Sequence, residues 1–349
     1  MDNLKYIIAS SHVEAGLCNR LKCIISVIRL SKKLGMKPLI FWMPPNLMGS
    51  ANFSDLFNTK IDVITESEFK EKIKNGEIKS CKLYEDCLED KYHYFMFNDW
   101  RFVLLPGEVH KGFSKVFPEN EGKVIDLEYK RIPLRIRKDF LLAIKQISPN
   151  PSIQERVNKF VKEHNGFNGV IGLQVRRRDF LLATDGRGKI SSNDKFFNKM
   201  RAILKNKPKT KFFLSTDCSI TQKRFIEQFP DKIFFFPRDN WDKSTKESTI
   251  TGFIDVLLLS KTKHMLGSFL SSFVEIAWWF GKCKAKVEII GDKNAKEKAI
   301  KILNAPYKNS LNSRTFRQIK QICVYLTLHY FVFRYLWNKY LDYRAKKLN

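Results

Sequence analysis

The sequence predicts an α/β protein of two halves, each a parallel, doubly wound sheet covered by helices. Short apolar runs alternate with amphipathic segments along both halves, which is the pattern of such sheets. A chain of 349 residues is long for a single core, so two domains are expected. A turn-forming stretch, P-N-P-S at 149–152, lies between the halves. These observations predict domains at 1–150 and 151–310, followed by a tail at 311–349.

The first half opens with a strand, a helix and a second strand. Residues 6–9, Y-I-I-A, form the first strand, and residues 38–42 form the second. Residues 20–35 between them are predicted as a helix, because apolar side chains recur on one face: Leu21, Ile24, Ile25, Ile28 and Leu34. Residues 50–150 mix short strands, such as 102–105, with lysine-rich linkers.

The second half alternates more regularly. The predicted strands are 169–175, 212–215, 233–236, 264–267 and 286–290, and the predicted helices are 152–163, one from about residue 220, 248–261 and 271–281. Strands separated by helices pair in parallel through crossovers, which defines a doubly wound sheet.

The formal charge of +27 indicates an anionic partner: a nucleic acid, an anionic membrane leaflet or an acidic ligand. A nucleic-acid-binding protein is expected to concentrate its charge on one stripe or arm. Here the lysines are spread along the chain, apart from a basic carboxyl end, which favours solubility and attraction to a membrane.

The seven cysteines are scattered and form no C-x-x-C pair, which argues against a zinc site or a disulfide framework. Free thiols fit a reducing compartment. The amino terminus shows no secretory signal pattern and no membrane anchor. We therefore expect a cytoplasmic protein on the cytosolic side of a membrane.

The most informative stretch is the apolar run 169–175, which ends in Arg176, Arg177, Arg178 and Asp179. Adjacent arginines repel one another, and ligands bind just outside the carboxyl ends of strands in open α/β sheets. Arginine also matches phosphate oxygens bidentately. The stretch is therefore typical of a diphosphate site, with a solvated charge cluster on a loop as the alternative.

Three separated motifs together resemble those of the fucosyltransferase superfamily. Residues 174–179, Q-V-R-R-R-D, match its H-x-R-R-x-D motif at all but the first position. Residues 15–21, A-G-L-C-N-R-L, match its glycine loop, with Cys18 where the second glycine is usual. Residues 255–273 reproduce its aspartate on an apolar helix, followed by a strand and a Ser-Ser pair. The three motifs occur in the order found in that superfamily.

That resemblance implies a GT-B architecture, with two Rossmann-like domains facing a cleft, and an inverting transfer of fucose from GDP-fucose. The acceptor would lie on the side of the first domain. Arg176 would grip the β-phosphate, and Arg177 would support it or reach the sugar. The histidine of the motif is Gln174 here, which keeps hydrogen bonds but carries no proton.

The resemblance also implies the remaining donor contacts. Asp255 would accept hydrogen bonds from guanine. Ser271 and Ser272 would bind phosphate at the start of a helix. Asn19 and Arg20 would face the donor from the first domain. Each has a structural alternative: a buried, capped carboxylate for Asp255 and ordinary helix caps for the serine and Asn-Arg pairs.

Three carboxylates are candidates for the general base. An acceptor hydroxyl needs a carboxylate or a histidine within hydrogen-bonding reach. Asp185 lies near where α1,6 enzymes of the superfamily place a glutamate, and Asp179 and Glu14 are rivals. Thr216 and Asp217 end a strand on the ligand side of the sheet, as turn residues or donor contacts.

Two motifs are missing from the sequence. No D-x-D triplet occurs, and that triplet holds a divalent metal on the diphosphate in many other glycosyltransferases. We therefore expect no metal cofactor and arginine in its place. The P-loop pattern is also absent, which argues against a P-loop nucleotidase.

The tail, residues 311–349, combines aromatic residues with eight lysines and arginines against one aspartate. Its apolar stretch, 322–333, is shorter than the ~20 residues that a spanning helix needs. The pattern favours a helix at the interface of an anionic leaflet, with a terminal helix packed on the domains as the alternative.

Two other functions remain open at this stage. One is the same fold with a different nucleotide-sugar donor, for which Gln174 would be the marker. The other is a basic nucleic-acid-binding protein, which would need exposed aromatic side chains beside its arginines. The aromatic residues here mostly lie inside apolar runs, so no nucleic-acid partner is expected.

Overall fold

The computed structural model describes residues 6–9, 16–34, 37–42, 50–75, 94–95, 128–130, 134–178 and 187–297. Several predicted features lie outside these residues: the strand 102–105, Glu14, Asp179, Asp185 and the tail 311–349.

The described residues of the first half form ten elements. In chain order they are β1 (Tyr6–Ala9), α1 (Leu17–Leu34), β2 (Lys37–Phe41), α2 (Phe53–Leu56), β3 (Phe57–Thr59), β4 (Val63–Ile64), α3 (Glu66–Lys74), β5 (Tyr94–Phe95), α4 (Leu134–Ile144) and β6 (Ile147–Pro149).

The second half continues the alternation. In chain order it contains α5 (Pro151–Glu163), a 3-10 turn (Asn165–Phe167), β7 (Ile171–Val175), α6 (Arg187–Ile190), α7 (Asn193–Asn206), β8 (Phe212–Thr216), α8 (Ser219–Gln228), β9 (Ile233–Phe234), α9 (Lys246–Leu259), β10 (His264–Ser268), α10 (Ser272–Phe280) and β11 (Lys286–Ile290).

Each half contains a sheet whose strands all run parallel. The order is β4-β2-β1-β5 in the first sheet and β11-β10-β7-β8-β9 in the second. β7 lies in the middle of the second sheet, and all five of its residues are buried. The arginine motif therefore leaves the carboxyl end of a central strand, as the sequence predicts.

The chain passes from one half to the other at Asn150. Just before it, β6 pairs with β3 in an antiparallel ribbon of the first half. The Asn150 side chain then accepts a hydrogen bond from the Ser152 amide at 3.0 Å and caps α5, which begins with Pro151. The domain limits at 150 and 310 stay predictions.

One apolar core runs through both halves. It includes Leu21, Ile24 and Ile28 of α1 together with Trp278 and Trp279 of α10. Phe140 of α4 stacks on Trp279, with ring centroids 4.5 Å apart. The two tryptophans are therefore packing residues, as their apolar sequence context predicts.

A glycine in β10 allows α10 to approach the second sheet closely. A Cβ atom at Gly267 would lie 2.6 Å from a methyl carbon of Val274, closer than real Cβ contacts come. The start of α10 therefore lies directly beside the carboxyl end of β10.

The strands and helices predicted in the second half are all present, with ends that shift by a few residues. Elements that were not predicted include α6 and α7 there, and α4 and the β3–β6 ribbon in the first half. Within the described part of the chain, no helix combines the length and the apolar character needed to cross a bilayer.

Candidate functional site

A cleft of about 880 Å³, its opening to solvent included, lies between the carboxyl end of the second sheet and the start of α1. Residues at the carboxyl ends of β7 and β8 and in the loop after β9 line it, together with the starts of α1 and α10 and one side of α9 from Ser248 to Asp255. Ligands of open α/β sheets bind at this edge.

The amino ends of α1 and α10 both line the cleft, as the first turn of α9 does. α1 contributes Gly16 to Asn19, and α10 contributes Ser272 and Phe273. The first amide groups of a helix have no partner within the helix and carry a partial positive charge. Two such ends on one cleft favour an anionic ligand.

A buried ion pair fixes these two helix ends relative to each other. Lys22 lies three residues after Asn19 in α1, and Glu275 lies three residues after Ser272 in α10. The Lys22 ammonium group donates to the Glu275 carboxylate, and the side chains are 1% and 0% exposed. This ion pair, near the start of each helix, connects α1 of the first half to α10 of the second half.

The three adjacent arginines have different surroundings. Arg176 is half-buried and lines the cleft. Arg177 is buried, and its guanidinium group donates to Asn193 at 2.8 Å and to the carbonyl oxygen of Arg176 at 2.8 Å. Burial lowers the pKa of Arg177 to about 10, so it stays protonated at neutral pH. Arg178 donates to the carbonyl oxygen of Trp241 at 2.9 Å and so supports the loop after β9.

Arg176 lies close to the start of α1. Burial raises the pKa of the Cys18 thiol, and the charges of Arg176 and Lys22 act in the opposite direction. Cys18, buried in the cleft lining, is therefore an uncharged thiol at neutral pH.

Asp217 connects the arginine motif to the loop after β9. One carboxylate oxygen accepts from the Arg177 backbone amide at 2.7 Å, and the other accepts from the Lys243 ammonium group at 2.7 Å. Asp217 and Lys243 both line the cleft. Asp217 therefore holds the backbone of the motif in place as well as reaching the cavity.

Asp255 is a buried carboxylate in the middle of α9, 1% exposed, and it also lines the cleft. Its Oδ2 atom accepts from the Ser215 hydroxyl at 2.9 Å and from the Arg238 guanidinium group. Burial raises the pKa of Asp255, and Arg238 and Ser215 oppose that rise. Its Oδ1 atom has no hydrogen-bond partner among the described residues.

Other buried polar atoms near this edge share that property. Within the described residues, the side-chain atoms that are buried and lack a hydrogen-bond partner include Asn19 Oδ1, Gln174 Oε1, Thr216 Oγ1, Asp255 Oδ1 and Ser271 Oγ. Four of these five residues line the cleft. Buried polar atoms in folded proteins are nearly always satisfied by protein, water or ligand, so this set offers hydrogen-bonding groups to a polar molecule in the cleft.

The structure brings most of the predicted site residues together. Those that line the cleft are Asn19, Gln174, Arg176, Thr216, Asp217, Asp255 and Ser272. Three others lie outside the lining. Arg20 is buried with its guanidinium carbon 5.0 Å from the Trp42 ring centroid, Arg177 points towards Asn193, and Ser271 precedes α10 as its buried N-cap residue.

The sequence analysis missed three residues of the loop that follows β9: Arg238, Trp241 and Lys243. Arg238 lies over Trp241, with its guanidinium carbon 4.8 Å from the ring centroid. A signal was available, since polar and aromatic residues follow an apolar strand at the ligand edge of the sheet. With them, the described lining holds three cationic and two carboxylate side chains.

No protein-family model and no curated protein matches the chain. In structure it is similar to a NodZ alpha-1,6-fucosyltransferase soaked with GDP-fucose: 17% identity, a TM-score of 0.47, and coverage of 79% of this chain and 92% of that one. The fucosyltransferase NodZ from Bradyrhizobium is 14% identical, with a TM-score of 0.46 and coverage of 78% of this chain and 91% of that one. POFUT1 in complex with GDP-fucose is 11% identical, with a TM-score of 0.47 and coverage of 84% of this chain and 99% of that one. Because the identities and TM-scores are this low, the function is inferred from the residues of the site.

Proposed function

We propose that the protein is a GT-B glycosyltransferase that transfers fucose from GDP-fucose to a glycan acceptor with inversion and without a metal ion. The observation that carries this proposal is the composition of the cleft. Arg176 and two helix ends lie at one place, and the unpartnered Oδ1 atom of Asp255 lines the same cavity. A nucleoside diphosphate offers matching groups, because it has anionic phosphates and a base with N–H donors.

The leaving group is the part of the reaction that the cleft serves best. As the bond between the anomeric carbon and the β-phosphate oxygen breaks, negative charge grows on GDP. Arg176 and the amide groups at the starts of α1 and α10 stabilise that charge where a metal ion does so in other enzymes. Arg177 acts indirectly, since it is hydrogen-bonded to the backbone of Arg176.

The acceptor hydroxyl attacks the anomeric carbon from the face opposite GDP, which inverts the configuration. Its proton goes to a base, and both described carboxylates of the cleft are held by cations, Asp217 by Lys243 and Asp255 by Arg238. Asp185, with Asp179 as its rival, remains our candidate base. An oxocarbenium-like transition state needs little activation of the nucleophile, so this group contributes less than Arg176.

A different GDP-sugar or nucleotide-sugar is the second candidate, and one observation favours it. Gln174 stands where the family that the chain resembles has a histidine, and its Oε1 atom is buried in the cleft lining with no partner among the described residues. A glutamine that accepts hydrogen bonds there can select a different base or sugar hydroxyl.

We also propose that the basic, aromatic tail, 311–349, attaches the enzyme peripherally to the cytosolic face of a membrane. The acceptor would then be a precursor of a surface polysaccharide or lipopolysaccharide. The charge of +27 supports the attraction to an anionic leaflet.

Thermal unfolding with GDP, UDP, ADP and CMP, each with and without EDTA, tests the donor class. We expect GDP to raise the melting temperature most, with no effect of EDTA. Stabilisation by UDP or CMP instead would favour the second candidate. A stabilisation by GDP that EDTA removes would contradict metal independence.

A further inference from the structure

Arg238 is the charged partner of Asp255, and it comes from a loop that none of the sequence motifs includes. Its side chain is 12% exposed. One guanidinium nitrogen donates to the carbonyl oxygen of Thr216 at 3.2 Å, and another pairs with Asp255 Oδ2. The guanidinium group also lies on the ring of Trp241. Three contacts thus fix the direction in which Arg238 points.

The two oxygens of the Asp255 carboxylate have different surroundings. Oδ2 receives Arg238 and Ser215 and is used to hold the side chain. Oδ1 is buried at the cleft without a partner among the described residues. An ionised Oδ1 accepts hydrogen bonds, whereas a protonated carboxyl group can present a donor there instead. The charge state of Asp255 therefore decides which edge of a base fits.

Burial in an apolar helix works against that charge, because the flanking residues Ile254 and Val256 are fully buried as well. The charged groups on the neighbouring elements are Arg176 after β7, the Asp217–Lys243 pair after β8 and β9, the Arg156–Glu247 pair at the start of α9 and the Lys22–Glu275 pair between α1 and α10. Of the charged groups that the structure describes, Arg238 is the one that contacts the carboxylate.

We propose that Arg238 is a positioning residue that sets the base preference of the cleft, because it keeps Asp255 ionised and leaves Oδ1 to accept from the N–H edge of guanine. This rests on the proposed function, in which the ligand is a GDP-sugar. Arg238 is part of the cleft lining, and its proposed effect on the base passes through Asp255.

Calorimetric titration of the full-length protein with GDP and with inorganic pyrophosphate, from pH 5.5 to 8.5, tests this role. Arg238→Gln removes the charge but keeps a donor for the Thr216 carbonyl. The pKa of Asp255 then rises further, so its ionised fraction falls at neutral pH and recovers as the pH increases. We expect GDP affinity at pH 7 to drop at least tenfold and to rise with pH, while pyrophosphate affinity changes less than about twofold.

Two further variants separate the charge from the shape of the side chain. Arg238→Lys keeps the charge and should bind GDP with the same pH profile as the wild type, in which only the ligand's own phosphate titrates. Arg238→Gln combined with Asp255→Asn should lose the additional pH dependence of Arg238→Gln, because the titrating carboxyl group is gone. If Arg238→Gln does not fold, the lysine variant decides, and a pH profile of GDP affinity in that variant that differs from the wild-type profile overturns the proposal.

Three results would overturn the role of Arg238 and leave the proposed function intact. These are wild-type GDP affinity in Arg238→Gln, equal losses for GDP and pyrophosphate, and a loss of GDP affinity that does not change with pH. A wild-type protein that binds neither ligand would overturn the proposed function itself, and this role with it.

Discussion

Adjacent residues of one motif take different positions because the strand ends inside it. β7 stops at Val175, so Arg176 reaches the cleft while the backbone of Arg177 is already held by Asp217. Arg177 is buried and Arg178 supports the loop that carries Trp241. A run of three equal charges in the sequence is thus one residue that lines the cleft and two that contact other parts of the protein.

Arg176→Ala should abolish transfer and leave the fold intact, because the side chain lines the cleft rather than the core. Arg176→Lys should also fail substantially, since a point charge does not replace the bidentate guanidinium group. Transfer rates and melting temperatures of purified variants measure both effects. Full turnover by folded Arg176→Ala would remove the diphosphate role.

Arg177→Ala is the matched contrast, since it removes the neighbouring arginine from the interior. It removes the hydrogen bond to Asn193 and should lower the free energy of unfolding by about 2–5 kcal/mol. Denaturant unfolding checks this. A fully stable Arg177→Ala protein would show that the buried guanidinium group is not structural.

Cleft residues at strand ends and helix starts could be predicted from the sequence, because ligands of open α/β sheets bind there. Arg176 was found in this way, whereas Gln174 and Asp255 follow from the resemblance of the motifs, and Asp255 lies in the middle of α9. The loop after β9 was missed because Arg238 has no motif around it, and its partner lies on another element. Arg20 lies outside the cleft lining, with its guanidinium carbon 5.0 Å from the Trp42 ring centroid, and its contact with the donor stays a prediction.

At the scale of elements, the site depends on how α1 and α10 meet. Their amino ends face the same cleft, and the Lys22–Glu275 pair joins them one turn further on. Each charge compensates the other in a place without solvent. Removal of one partner of such a pair is therefore more harmful than removal of both.

Lys22→Met should lower the free energy of unfolding by about 3–5 kcal/mol, because it leaves the Glu275 carboxylate buried and unpaired. Adding Glu275→Gln to that variant should recover a large part of the loss. Urea unfolding of the wild type, both single variants and the double variant gives the coupling. Additive losses in this cycle would mean that the pair does not join the two helices.

The elements that were not predicted differ in how clearly the sequence pattern indicates them. The apolar residues Phe196, Phe197 and Met200 of α7 recur at helical spacing, so its pattern was present in the sequence. α4 and the β3–β6 ribbon depend on partners far along the chain, α1 for the helix and each other for the strands. Local patterns cannot report such pairings.

At the scale of the whole molecule, two parallel sheets share one core, and the cleft lies where the second sheet faces α1. The charge of +27 exceeds what a single diphosphate requires. The surplus is consistent with our proposal that the basic tail attaches the enzyme to an anionic surface.

Deletion of residues from about 315 should release the protein from anionic vesicles and leave GDP binding unchanged. Each basic residue near such a surface contributes about 1 kcal/mol, so binding of the intact protein should fall steeply with salt. Vesicle co-sedimentation on anionic and neutral lipids measures this. An intact protein that ignores anionic vesicles at low salt, or a truncated protein that no longer binds GDP, would contradict the proposal.

The most direct test of the central claim compares two ligands on one variant. The cleft is proposed to bind a guanine nucleotide through Asp255 and its diphosphate through Arg176, so Asp255→Asn should act on the base alone. We expect calorimetry to show that Asp255→Asn weakens GDP by about 1–3 kcal/mol more than it weakens inorganic pyrophosphate. Equal losses for the two ligands would show that Asp255 is structural and would contradict the assignment of the cleft to GDP.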